Sequence, residues 1–173
     1  MRAWLVLGLM ISTAVRAQAQ NFEALFDEER RWAEVQTQLP PHPKPENYLP
    51  FQVNATASFV FFVDGKSISI GGDGVVRYTL IAQSPAGVLN ISFEGMRCSG
   101  GQFRLYAFGR SDNTWSKARN SRWQDITGER NNAQRAALFT DFFCPARSII
   151  GSSDEAAQAL RRGGHPRAST LGR

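Results

Sequence analysis

Apolar and polar positions alternate with a period of two through the middle of this chain. In Leu89-Asn90-Ile91-Ser92-Phe93-Glu94 the apolar residues share one face and the polar residues the other. Val76, Tyr78, Leu80 and Ala82 do the same opposite Arg77 and Thr79. Strand-length runs at 59–63, 67–70, 75–82, 89–98 and 103–110 are separated by Asp64-Gly65, Gly71 to Gly74, Ser84 to Gly87 and Ser99 to Gly101. That spacing predicts an antiparallel meander of about five strands over 59–110. In the last run Phe103, Leu105 and Ala107 alternate with Arg104, Tyr106 and Phe108, so it is apolar on both sides. The second face of the sheet therefore needs a cover, and the acid-rich N-terminal segment is a candidate.

The helical period is strongest near the C-terminus. Over residues 129–143, Ala136, Phe139 and Phe143 form a stripe flanked by Leu138 and Phe142, with Arg130 and Arg135 away from it and Pro145 closing the segment. This helix is expected to pack on the sheet. Ser152 and Glu155 have the spacing of a capping box, which predicts a short helix within 151–162 that stops at Gly163-Gly164. Residues 163–173 lack apolar periodicity and are expected to be a disordered tail. Within 20–51, Phe22, Leu25, Phe26 and Glu29 suggest a short helix. Pro40, Pro41, Pro43, Pro45 and Pro50 then impose an extended strap on the surface. Residues 52–150 form the single α+β domain.

Composition adds a compartment. Arg2, the apolar run Ala3 to Val15 and the small-x-small pattern Ala17-Gln18-Ala19 read as a signal peptide over residues 1–19. The run is too short to span a bilayer, so no transmembrane segment is expected after cleavage, and the periplasm is the predicted location. Cleavage would remove Arg2 and Arg16 and no acid, lowering the net charge from +5 to +3. Residues 97–147 carry nine bases against four acids, whereas 20–64 carry seven acids against three bases. A basic face for anionic partners is one reading; an acidic segment lying on its own basic fold is the other. In an exported protein an even pair of cysteines, Cys98 and Cys144, favours a disulfide that tethers the helix to the sheet.

Candidate chemistry is sparse. His42 lies in the proline run and His165 in the expected tail, so neither is placed for acid–base work. No zinc-protease, nucleophile-elbow or Cys-x-x-Cys pattern occurs, and no cofactor or metal is expected. Gly71-Gly72-Asp73-Gly74 leads into a strand, not a helix, and reads as a turn rather than a phosphate cradle. Asp27-Glu28-Glu29 lacks the ligand alternation of a calcium loop. One region supports binding: Trp115 and Trp123 are interleaved with Arg110, Lys117, Arg119 and Arg122, a set that stacks on a ligand while holding its negative charge. The alternative is that the tryptophans plug the end of the sheet. Carboxylate chemistry on glycans would call on Glu94 and Asp125.

The residues also resemble a family. Leu39-Pro40, Leu49-Pro50-Phe51, Phe62-Val63-Asp64-Gly65, Asp73 to Tyr78, Phe93-Glu94-Gly95-Met96-Arg97-Cys98, Leu105 to Arg110, Thr114 to Arg119, Trp123 and Phe142-Phe143-Cys144-Pro145 together are similar to the CNP-one-like family. The resemblance implies a small exported protein of Gram-negative bacteria and transfers no catalytic residue. A weaker likeness, to the surface-adhesin protein E group, rests on Val63-Asp64, Glu94 with Cys98, Trp123 to Ile126 and Cys144. It implies an antiparallel sheet with a disulfide-tethered helix and an envelope interaction role. The combined expectation is a non-catalytic envelope interaction module with an envelope protein or polymer as partner and no nucleic acid. The alternative is a binder of a small or anionic polymeric ligand at the Trp115–Trp123 edge.

Overall fold

The computed structural model describes residues 32–128 and 132–168. The expected signal peptide, the helix proposed around Phe22 to Glu29, the first residues of the 129–143 helix and the end of the tail lie outside the described residues. The chain divides into two units, Met1–Glu34 and Val35–Arg173. Residues 32–34 of the first have no regular structure, and the account below concerns the second.

The fold is α+β, with an antiparallel sheet of eight strands. They are β1 (Tyr48–Phe51), β2 (Val60–Asp64), β3 (Ser69–Ile70), β4 (Val75–Gln83), β5 (Leu89–Arg97), β6 (Gln102–Gly109), β7 (Trp115–Lys117) and β8 (Trp123–Asp125). The five predicted runs are all strands; β1, β7 and β8 are additional. The central three, β4 to β6, are consecutive hairpin partners, as a meander requires. The link between β2 and β3 is not a hairpin. Both pair with β4, at Val60–Val63 and at Ser69–Ile70 respectively, so they lie end to end on one edge. Asp64 sets that geometry. Its side chain accepts from the Lys66 N–H at 3.1 Å, and its carbonyl accepts from the Ser67 N–H and hydroxyl. β7 and β8 share the outer edge of β6 in the same manner.

One face of the sheet carries the helices. Helix α1 (Ala133–Ala137) continues as a π-helical segment, Leu138–Phe143, in which the Cys144 N–H reaches back five residues to the Phe139 carbonyl. The wider turn brings Leu138, Phe139, Phe142 and Phe143 all inside. Phe142 meets Phe51 edge-on at 5.8 Å, and Phe143 meets Tyr78 at 5.1 Å. Two clamps fasten this helical stretch to β5. Arg135 pairs with Glu94 near one end, and Cys144 is disulfide-bonded to Cys98 at the other. Nine residues of helix at about 1.5 Å each and four residues of strand at about 3.3 Å each both advance roughly 13 Å. The stretch therefore runs alongside β5 in the same direction, and the two clamps are in register.

Arg135 departs from the sequence reading. It was expected on the solvent side of the stripe, yet its side chain is only 14% exposed, stacked on Phe103 at 4.2 Å and forked onto a carboxylate that is fully buried.

Helix α2 (Ser153–Arg162) packs Ala156, Ala157, Ala159 and Leu160 into the same core. Ser152 caps it as expected, accepting from the Glu155 N–H at 3.1 Å. Glu155 reaches one residue further back than a capping box requires, to the Gly151 N–H at 2.6 Å. Gly163, at φ +75°, closes the helix. The expected disorder does not begin at 163. His165 is buried: its N–H donates to the Asp141 carbonyl at 2.7 Å and its Nε2 contacts Glu155 Oε1 at 2.8 Å. Because the Arg167 N–H donates to Nδ1, the ring carries its proton on Nε2. These contacts, not apolar periodicity, order residues 163–168.

Residues 35–47 cross the other face. Arg77 holds them with Nε on the Thr37 hydroxyl at 2.8 Å and Nη2 on the Val35 carbonyl at 3.2 Å. Asp73 accepts from the Val35 N–H at 2.8 Å and pairs with Arg77 at 2.6 Å. Burial works to raise the Asp73 pKa, but the Arg77 and Val35 hydrogen bonds and the Arg77 charge outweigh it and hold the carboxyl below its usual value. A depressed folded pKa contributes stability that is present above the unfolded value of about 4 and is lost as pH falls through the folded value. Asp73→Asn is therefore expected to flatten the acid limb of the stability profile. Urea midpoints measured from pH 5 to pH 2 would check this, and parallel profiles for the two proteins would refute it.

Candidate functional site

The six predicted site residues reach the outer edge of β6, but not as one cluster. Trp115 pairs opposite Gly109 and Trp123 opposite Arg104, at the two ends of β6. Trp115 is committed to the fold. Its Nε1–H donates to the Pro40 carbonyl at 2.8 Å, and its ring lies 5.6 Å from His42 and 6.1 Å from Phe93. It anchors the crossing segment. Trp123 is half-buried beside a second strand-face group, in which Arg104 donates to the Ser121 hydroxyl at 3.0 Å and lies over Tyr106 at 5.6 Å.

The cations sit outside. Arg110, Lys117, Arg119 and Arg122 are exposed, and Arg110 donates to the Ser116 hydroxyl at 3.1 Å. The turn from β6 to β7 is held by Asp112, which accepts from the Thr114 N–H and hydroxyl at 3.0 and 2.6 Å. Those bonds hold the Asp112 carboxyl below its usual pKa. Asn113 takes the left-handed conformation there, at φ +63°.

A cleft of about 360 Å³ opens on this edge. Leu105 and Phe108 line it with Lys117, Ala118 and Arg119, and among the described residues no carboxylate does. Phe108 is 48% exposed, a large apolar ring left in water in a cleft that two cations also line. The sequence reading assigned the aromatic part of this site to Trp115 and Trp123. The structure supplies Phe108 and Leu105 instead. Strict alternation puts Leu105 and Phe108 on opposite faces of β6; the register shift at Phe93/Glu94, where Ala107 pairs with Phe93 and Leu105 with Glu94, bulges Tyr106 and brings Leu105 and Phe108 to one face.

The carboxylates proposed for glycan chemistry are not brought together. Glu94 is fully buried: it accepts from Arg135 at 2.7 and 2.8 Å, from Ser92 at 2.7 Å and from Tyr78 at 3.3 Å. Burial, then the Glu94 charge, pushes the Tyr78 hydroxyl well above its usual pKa. Asp125 is exposed on β8 and accepts from Gln102 at 3.1 Å. A smaller cleft of about 220 Å³ beside His42 and Asp64 has mixed rim charges, Lys44 and Lys66 against Glu46. His42 Nε2 is buried without a hydrogen-bond partner. Among the described residues, no group of three His, Cys, Asp or Glu is placed to hold a metal ion. No described helix is long and apolar enough to cross a membrane.

The family model of the CNP1-like family matches residues 27–161. The chain belongs to the CNP1-like family. No curated protein and no solved structure matches it, so the likeness to the protein E group gains no support from those comparisons. In this CNP1-like domain the matched span runs from ahead of the crossing segment nearly to the end of α2, and thus includes both clamps and the β6–β7 edge.

Proposed function

We propose that this CNP1-like protein is an exported, non-catalytic interaction module of the cell envelope that holds an anionic partner at the β6–β7 edge. The observation that carries the reading is the exposed Phe108 in a cleft that Lys117 and Arg119 also line and, among the described residues, no acid does. An apolar surface beside cations suits a polymer or acidic protein segment that presents negative charge beside an apolar group. The buried carboxylates support the same reading from the opposite direction. Glu94 and Asp73 are each engaged by an arginine in the fold.

Binding of dextran sulfate to the mature chain, followed by tryptophan fluorescence at several salt concentrations, tests this. Wild type is expected to bind at low salt with an affinity that falls steeply as salt rises. Lys117→Glu with Arg119→Glu should weaken binding at least tenfold and flatten the salt dependence. Phe108→Ser should weaken it with the salt dependence unchanged. Equal binding by wild type and the double-glutamate variant would overturn the proposal.

A further inference from the structure

In an antiparallel pair, alternate residues bond the neighbouring strand and the residues between them turn their N–H and C=O groups away. The pairing therefore says what each edge of this sheet offers to a further strand. At β1 the Gly65 N–H donates to the Asn47 carbonyl at 2.9 Å, so Leu49 and Phe51 bond β2 while Tyr48 and Pro50 turn outward. Neither presents a donor. The Tyr48 N–H is taken by the Pro45 carbonyl, and proline has no N–H. At β3 the Gly71 N–H donates to the Val75 carbonyl, so Ile70 alone turns outward from that two-residue strand.

The β7 edge is left open. The Arg110 N–H donates to the Thr114 carbonyl and the Ala118 N–H to the Tyr106 carbonyl, both at 2.9 Å. The bonded pair between them is Phe108 with Ser116, and Trp115 and Lys117 turn outward. Among the described residues, no hydrogen bond is made to the main-chain N–H and C=O groups of Trp115 and Lys117 on that side. Both donors and both acceptors are available to an added strand.

The surroundings say what kind of strand. Register puts Ser116 on the face of Phe108, and Trp115 and Lys117 on the other, although Lys117 also lines the cleft. An added strand would set one residue beside the small Ser116. Strands two places apart are separated by roughly 10 Å, so a large side chain there reaches over Ser116 to Phe108. The residues before and after it would lie on the side of Lys117. Lys117 and Arg119 are exposed, and the exposed Arg110 is held at the Ser116 hydroxyl at 3.1 Å. The acids nearby are engaged: Asp112 accepts from Thr114, and Asp125, further along on β8, from Gln102. A second copy pairing its own β7 about a two-fold axis at Ser116 would bring these cations of both copies together, and a lysine on an edge strand deters such pairing. An acidic strand meets the same cations with attraction.

We infer that β7 takes up an extended acidic segment of a partner protein as an added strand. The backbone groups of Trp115 and Lys117 hold it, its acidic side chains face Lys117 and Arg119, and an intervening apolar one reaches toward Phe108. The inference rests on the anionic-partner reading of this edge and narrows the partner to a polypeptide.

Titration of the mature chain with the peptide acetyl-Glu-Val-Glu-Phe-Glu-Val-Glu-amide tests it. Two further peptides carry the same side chains, one N-methylated at the inner Glu residues and the other at Phe and both Val residues. Alternate N–H groups of an added strand face the edge, so one methylation pattern should weaken binding about tenfold or more and the other much less. On adding the parent peptide, the Trp115 and Lys117 amides should gain about tenfold or more protection from hydrogen exchange, and the Ser116 amide, already bonded to β6, much less. Equal affinity for all three peptides, or no protection of those two amides, would overturn the inference. Dextran sulfate binding without peptide binding would overturn it and leave the anionic-partner reading standing; binding of neither would overturn both. Self-association of the chain that protects the same two amides would give the edge to a second copy, and would overturn it too.

Discussion

Replacing Arg135 by methionine is expected to cost about 3–5 kcal/mol of stability, the usual loss when one partner of a buried ion pair is removed. Methionine keeps an apolar side chain there but removes the guanidinium that lies over Phe103, so the loss includes that cation–π contact with the ion pair. Glu94 then keeps only Ser92 and Tyr78 as side-chain donors, in a site with no exposure to water. In the wild type, burial works to lower the Arg135 pKa, and the charge and hydrogen bonds of Glu94 outweigh it, so the guanidinium is held more firmly protonated than usual. Urea unfolding of the variant measures the effect. The double replacement Glu94→Leu with Arg135→Met should regain most of the loss, because removing both charges also removes the desolvation penalty. A single variant within about 1 kcal/mol of wild type would show that water reaches Glu94 and that this clamp is weak.

Reducing the Cys98–Cys144 bridge is the second large effect. The bond closes a 46-residue separation, for which the chain-entropy relation gives roughly 4 kcal/mol. That loop contains β6, β7, β8 and α1, so the reduced unfolded chain regains the freedom of half the domain. The bridge also sits where the π-helical segment ends, with both cysteines buried. Comparing urea unfolding of the oxidised and reduced chain gives the number. A difference below about 1 kcal/mol would mean that the unfolded chain stays compact without the bond. The bridge and the Arg135–Glu94 pair fasten one helical stretch to one strand. Their effects are therefore expected to couple when combined rather than add.

Much of the sheet was legible from the chain alone, and the reason is local. β4, β5 and β6 are eight or nine residues long with clear alternation, and each is bounded by glycine or proline turns. β1 was hidden because Pro50 lies within it and four other prolines precede it. As an edge strand it pairs on one side only, to β2, and tolerates a residue that has no N–H to give. β7 and β8 have three residues each, too few to show a period. The β2–β3 link read as a hairpin because Asp64-Gly65 has turn chemistry. Its side-chain bonds instead keep both segments on the same edge of β4.

The binding edge was half legible. Arg110, Lys117, Arg119 and Arg122 are exposed, and charge clustering alone pointed to them. The place of Trp115 was not legible, since it depends on a carbonyl 75 residues earlier in the chain.

By itself, then, the sequence determined the α+β class, the central strands, the helix on the sheet, the cysteine pair and the cationic stretch. Each follows from short-range period, turn chemistry or counting. Tertiary structure decided the rest. It turned Arg135 inward to Glu94, gave Trp115 to the crossing segment, and left Phe108 in water in the cleft that Lys117 and Arg119 line. These outcomes rest on strand register and on contacts across 41 and 75 residues, and neither is encoded in any window of local pattern.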